Sequence, residues 1–161
     1  MNSVYSLKFA EIDDLLSWMN LVTLLRYNFP SLEFDDELEK YKHTVIKNIN
    51  RQSAISVASE GTIVGVLLFS YNQSCLSCMA VHPKHRKNGI ATAMIEKMLS
   101  TLPPDQDVWV TTFRENDKKS IAPIALYKKL GFTEDEIVME HNYPHQKLVL
   151  HRKYPQTISP Q

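Results

Sequence analysis

"AVHPKHRKNGIATAMIEKML", residues Ala80–Leu99, decides how the rest of the chain is read. It joins three unlike pieces. Met79, Ala80 and Val81 end a β-rich run, the stretch from His82 to Lys87 is basic, and from Ile90 the apolar residues follow helical spacing. Between loop and helix stands Gly89, one of only four glycines in the chain, which gives it a specific local task. The first N–H groups of a helix have no backbone acceptor. Together they carry about half a positive charge. Glycine lets a ligand approach that backbone without a Cβ in the way. Arg86 and Lys87 add positive side chains, and Thr92 adds a hydroxyl in the first helical turn. Strand, basic glycine loop and helix in this order suit a pyrophosphate or a similar dianion. Neither the Walker spacing G-x-x-x-x-G-K-[ST] nor the dinucleotide pattern G-x-G-x-x-G is present.

The chain has 161 residues, with 18 Lys plus Arg against 18 Asp plus Glu. The length suits one domain with its own core, expected over residues 1–153, and a frayed tail over 154–161. Zero net charge argues against a dedicated nucleic-acid binder. No apolar run approaches the roughly 18 residues of a membrane span. The start, MNSVYSLKFAEIDD, lacks the basic and apolar segments of a signal peptide. The expected location is therefore cytoplasmic, with neither nucleic acid nor membrane as partner.

Cys75 and Cys78 read as C-x-x-C. A zinc site needs about four ligands and there is no second Cys pair. A redox C-x-x-C opens a helix, whereas SCLSCMAV has the composition of a strand. Residues three apart on a strand face opposite sides. The two cysteines are read as small strand side chains, with no disulfide in a reducing compartment and no metal. His82 and His85, around Pro83, are too few ligands to change that.

Along the chain, Val4–Phe9 is read as a strand and Glu11–Tyr27 as a helix with Ile12, Leu15, Leu16, Met19, Val22 and Leu25 inward. A second helix is expected over about Asp35–Asn50, acidic at its start and basic at its end as the helix dipole favours. SAISVASE, TIVGVLLFSY and SCLSCMAV then form an antiparallel meander. A helix follows from about Gly89 to Leu102, then the strand DVWVTTF, then a helix ending at Leu130 with Ser120 as its cap. Gly131 closes that helix. FTEDEIVMEHN and QKLVLHRK make a final hairpin turning about Tyr143-Pro144. The order calls for an α/β fold: a mixed sheet with helices on both faces.

Arg86 to Ala91, R-K-N-G-I-A, resembles the pyrophosphate loop [Q/R]-x-x-G-x-[G/A] of the GNAT superfamily of acyl-CoA-dependent N-acyltransferases. Ala125 to Phe132, ALYKKLGF, resembles that family's other recurrent segment, which ends in L-Y-x-x-x-G-F. The resemblance covers roughly residues 3–152. It implies a mixed, mostly antiparallel sheet of about seven strands with about four helices, strands 4 and 5 splayed apart. It also implies acetyl-CoA as co-substrate and no metal. Met79, Ala80 and Val81 would pair with the pantetheine arm, Arg86, Lys87, Asn88, Gly89, Ile90, Ala91 and Thr92 would hold the pyrophosphate, and Asn116 would assist.

The reaction so implied is direct attack of an amine on the thioester in a ternary complex. Tyr127 matches the position that protonates the departing thiolate, although its spacing alone also fits a core tyrosine. Many family members carry a glutamate on the fourth strand as general base, and CLSCMAV has none. Glu33, Glu140 and His141 are the candidates in its place, with a water relay as the alternative. The acceptor is a small-molecule or peptide amine. The final strands make a homodimer reasonable. The rival reading is a non-catalytic acyl-CoA sensor.

Overall fold

The computed structural model describes residues 1–29, 31–113 and 121–152. In order these form β1 (Tyr5–Phe9), α1 (Leu15–Leu24), α2 (Asp35–Asn50), β2 (Ala54–Ser59), β3 (Thr62–Ser70), β4 (Cys75–Val81), α3 (Ile90–Thr101), β5 (Val108–Phe113), α4 (Ile121–Lys129), β6 (Thr133–Glu140) and β7 (Tyr143–Leu150). The seven strands make one mixed sheet in the order β1-β2-β3-β4-β5-β7-β6. Pairs β1–β2, β2–β3, β5–β7 and β6–β7 are antiparallel. The parallel pair β4–β5 is held through Cys75↔Trp109 and Leu76↔Val110 among the described residues. The expected α/β class, strand number and helix number are all found. Ser120 and the tail 154–161 lie outside the described residues.

The chain divides into two compact units, Met1–Phe69 with Ser77–Met98, and Ser70–Leu76 with Leu99–Gln161. In the first, Trp18, Leu21, Val22 and Leu25 of the α1 region pack with Val45 and Ile49 of α2 and with Ala54, Ile63, Val66 and Leu68 of β2 and β3. The inward face of α1 differs from the expected one. Ile12 is 53% exposed and Leu16 75%, while Trp18 is fully buried. The reason is local: Glu11 and Asp14 close a capping box around a tight 3-10 turn at Ile12–Asp14. Regular α-helical spacing begins only at Leu15, so the inward set runs through Trp18, Val22 and Leu25. Gly65 faces away from Val66 and Leu68 on β3. A Cβ there would lie 2.7 Å from Ile90 Cγ2, so glycine is what lets the start of α3 press onto the sheet.

In the second unit Val108, Val110 and Leu148 are buried in β5 and β7, as are Ile124, Tyr127 and Phe132. The hairpin turns at His141 and Asn142, with φ of 51° and 60°, and not at Tyr143-Pro144. Two left-handed residues make the turn whose twist matches the strands. Proline, with φ held near about −65°, is barred from it; Pro144 instead sits within β7 opposite Met139. Between Glu134 and Ile137 the register of β6 shifts. Gln146 fills the irregularity, donating from Nε2 to the Asp135 and Lys147 carbonyls at 2.7 and 2.9 Å.

Arg152 closes this unit. Its guanidinium donates to the carbonyls of Leu99, Leu102, Pro103 and Gln106, at 3.0, 3.4, 2.6 and 3.2 Å. Two of these belong to the C-terminal turn of α3 and its exit, where carbonyls lack intrahelical donors. Arg152→Ala is expected to lower stability by about 2 kcal/mol, allowing roughly half a kcal/mol or more per lost bond. A denaturant midpoint that does not move in urea titration would show that water replaces these bonds without loss.

Candidate functional site

The loop after β4 is held by its own polar side chains and by one bond to β3. His82 N donates to the Val64 carbonyl at 2.8 Å, anchoring the strand end to β3. His82 Nδ1 accepts from Lys84 N at 3.1 Å and caps a single 3-10 turn over Pro83–His85. Neighbouring cations and burial hold the His82 imidazole below its usual range, burial being the larger cause. His85 packs edge-on against Tyr5 and His82 and shares a 3.0 Å hydrogen bond with the Tyr5 hydroxyl. Arg86 is extended (φ −67°, ψ 162°) and Lys87 left-handed (φ 65°), a conformation in which glycine is usual.

The predicted binding residues divide by what the structure leaves available in each. Arg86 is exposed, but its Nε donates to the Val81 carbonyl at 3.2 Å, tying the guanidinium stem to the strand end. Asn88 spends its side chain on the His85 and Arg86 carbonyls, at 3.0 and 3.1 Å, and braces the turn. Ile90 is buried, so only its N–H is left for a ligand. Gly89 is left-handed (φ 78°), and a Cβ there would lie 3.2 Å from Met1 N. Ala93 N makes the first bond of α3, to the Gly89 carbonyl at 3.0 Å, and the amides of Ile90, Ala91 and Thr92 precede it. Lys87 is exposed, and Met79, Ala80 and Val81 are half-buried along β4. A cradle without a side chain, helix amides and lysine charge fit a pyrophosphate group.

Next to those β4 residues lies a polar chain that the sequence reading missed. Trp18 Nε1 donates to the Tyr41 hydroxyl at 3.1 Å, which in turn lies 3.6 Å from Cys78 Sγ. The only signal was Trp18 and Tyr41 falling mid-helix. Burial pushes the Cys78 thiol up to about 11, against a partial lowering by the Tyr41 hydroxyl. Burial, then Cys78, push Tyr41 well above the usual phenol range. Both groups thus stay neutral near pH 7, and neither is a base or a thiolate nucleophile there. A thiol raised by folding favours the native state below the ordinary thiol range, and that contribution disappears as pH rises through about 11. In a Cys75→Ser background, iodoacetamide at pH 8 is expected to label Cys78 roughly 10²-fold more slowly than a free cysteine, following the thiolate fraction. Labelling at the free rate would show an accessible, ionised thiol.

Glu33 is exposed between α1 and α2, and its backbone carbonyl accepts from Arg26 Nη2 at 3.2 Å. Tyr127 and His141 belong to the second unit. Tyr127 is 4% exposed, its ring tilted against Phe132 at 5.6 Å. His141 is an exposed turn residue. Glu140 is half-buried, and both its oxygens lie within 3.0 Å of Thr111 Oγ1. Asn116 lies outside the described residues. Among the described residues no three His, Cys, Asp or Glu side chains are grouped to hold a metal ion. Among them, too, no helix is long and apolar enough to cross a membrane.

A family model described as acetyltransferase (GNAT) domain matches residues 51–134. No curated protein sequence matches the chain. Among solved structures, a GNAT-family acetyltransferase from Bacillus cereus ATCC 10987 is 22% identical, with TM-score 0.68, 92% of this chain and 97% of that one covered. The yncA protein of Salmonella typhimurium, solved with its cofactor acetyl-CoA, is 13% identical, with TM-score 0.68 and coverage of 97% and 98%. An agmatine N-acetyltransferase is 12% identical, with TM-score 0.69 and coverage of 92% and 100%.

Proposed function

We propose that this chain, which belongs to the GNAT family of acetyltransferases, moves an acetyl group from acetyl-CoA to a primary amine of a small molecule or peptide, by direct attack in a ternary complex. The observation that carries the reading is the loop from Arg86 to Thr92: a left-handed glycine that leaves the backbone bare, followed at once by the first amides of α3, which have no backbone acceptor among the described residues. When bound, acetyl-CoA supplies an activated thioester. The amides of Gly89, Ile90, Ala91 and Thr92, with Lys87, hold its pyrophosphate. Met79, Ala80 and Val81 offer backbone groups to the pantetheine arm, and one of their amides polarises the thioester carbonyl. Tyr127 donates the proton that the departing thiolate needs.

The proton acceptor lies off β4. β4 has no carboxylate, and the raised Cys78 and Tyr41 are unsuited to accept a proton. Glu33 and His141 are both exposed and have free access to water, so either serves through a relay. The reading treats the chain to residue 153 as one working domain. One of the similar structures is an agmatine N-acetyltransferase, and we take a cationic small amine as the first acceptor to try. The test is release of free CoA from acetyl-CoA across a panel of monoamines, diamines and N-terminal peptides. Release that depends on an amine, with the matching N-acetyl product by mass spectrometry, is expected. Tight acetyl-CoA binding without turnover on any amine would favour a sensor instead.

A further inference from the structure

We propose that Glu140 is the carboxylate that binds the ammonium group of a cationic acceptor, on the more exposed face of the β5–β7–β6 sheet. The proposal rests on the acetyltransferase reading above and adds the residue that selects a cationic acceptor. The two faces of this sheet differ. One carries Val108, Val110 and Leu148, all at most 2% exposed. The other carries half-buried Trp109, Thr111, Lys147 and Glu140, and Tyr143 at 44% exposed. Register places them together, Thr111 opposite Lys147 and Glu140 opposite Tyr143.

Several charges near this face are paired among the described residues. Lys147 Nζ lies 3.9 Å from Asp135 and 5.1 Å over the Trp109 ring. Glu134 pairs with Lys128 at 2.8 Å, and Asp107 accepts from His151 at 3.0 Å. Glu140 has no cationic partner among the described residues; its contact is the Thr111 hydroxyl, at 3.0 and 2.9 Å from its two oxygens. A hydroxyl has one proton to give. It orients the carboxylate without neutralising it. A half-buried carboxylate held in place and unneutralised is where an ammonium gains most, through charge-assisted hydrogen bonds.

The surroundings set where the cation goes. The contact brings Glu140 back over β7 from the hairpin tip, since Thr111 pairs four residues further along, at Lys147. Tyr143 lies across from Glu140, its ring edge-on to His145 at 5.8 Å, and adds aromatic surface beside the carboxylate. Lys147 repels a cation placed deeper along the face. His145 is buried beside them, with Nδ1 and the Tyr143 carbonyl 2.9 Å apart. Nδ1 donates to that carbonyl, and this fixes the backbone on which Tyr143 stands.

The test is calorimetric titration of 1,4-diaminobutane and of n-butylamine, with and without saturating CoA. The wild type is expected to bind the diamine about tenfold more tightly, about 1.4 kcal/mol. Glu140→Gln, which keeps shape and loses charge, should erase that difference. Thr111→Val should weaken diamine binding severalfold by freeing the carboxylate. Neither change should move acetyl-CoA affinity. The proposal is overturned if the wild type does not distinguish the two amines or does not bind the diamine. It is equally overturned if a folded Glu140→Gln protein binds the diamine like wild type. Loss of acetyl-CoA binding in the wild type, with the diamine preference intact, would instead overturn the acetyltransferase reading and leave a cation site.

Discussion

Tyr127→Phe is expected to lower kcat by about 10²-fold while the melting temperature and acetyl-CoA affinity stay close to wild type, the fold-change at the lower end for general acid catalysis. The substitution removes one oxygen. The ring is buried and tilted against Phe132 at 5.6 Å, so its shape supports packing that phenylalanine reproduces. The helix end does not depend on the hydroxyl either. Leu130 N and Phe132 N both bond to the Tyr127 backbone carbonyl, at 3.1 and 3.0 Å. What is lost is a proton donor. Phenols ionise near pH 10, so at neutral pH they supply a proton to a departing thiolate. Steady-state kinetics beside thermal melting separate the roles. An unchanged kcat with a lowered melting temperature would make Tyr127 a core residue, and the sulfur would then take its proton from water. The pH profile adds a check: loss of the donor should flatten the alkaline limb of kcat.

The parts of this protein that were legible in the sequence are those governed by short-range rules. Gly89 after a basic loop and before a helical period places the strand, the turn and the start of α3 within a residue, because each is set by neighbours along the chain. The bounds of α2 follow from its charge order in the same way. What escaped depends on partners far along the chain or on the sign of one dihedral. The inward face of α1 rotates because a 3-10 turn precedes it, and composition does not show where α-helical spacing begins. Tyr143-Pro144 reads as a turn in sequence, whereas the sheet's twist requires two left-handed residues, at His141 and Asn142. Tyr41 with Cys78 and Thr111 with Glu140 are 37 and 29 residues apart. Neither pair leaves a local pattern; each follows from sheet order and register.

Gly89→Asp is expected to weaken acetyl-CoA binding about thirtyfold, about 2 kcal/mol, while the protein stays folded. The backbone at this position is left-handed, at φ 78°. Aspartate is one of the few residues that visits that region readily, so the strain is modest, near 1 kcal/mol of stability. Steric change comes first: a Cβ adds bulk where a ligand approaches bare backbone, and it would stand 3.2 Å from Met1 N. Charge comes second. The first amides of α3 carry partial positive charge that attracts a dianion, and a carboxylate beside them both occupies those donors and repels phosphate. Gly89→Ala divides the two effects, since it fills the cradle without charge; it should account for only part of the loss. Charge repulsion at an exposed loop is screened by salt over about 8 Å at physiological strength. The gap between the Asp and Ala variants should therefore narrow as salt rises, while the gap between Ala and wild type holds. Calorimetric titration at two salt concentrations reads all three. Equal affinity in a folded Gly89→Asp protein would mean that the pyrophosphate is bound elsewhere and that this glycine serves only the turn.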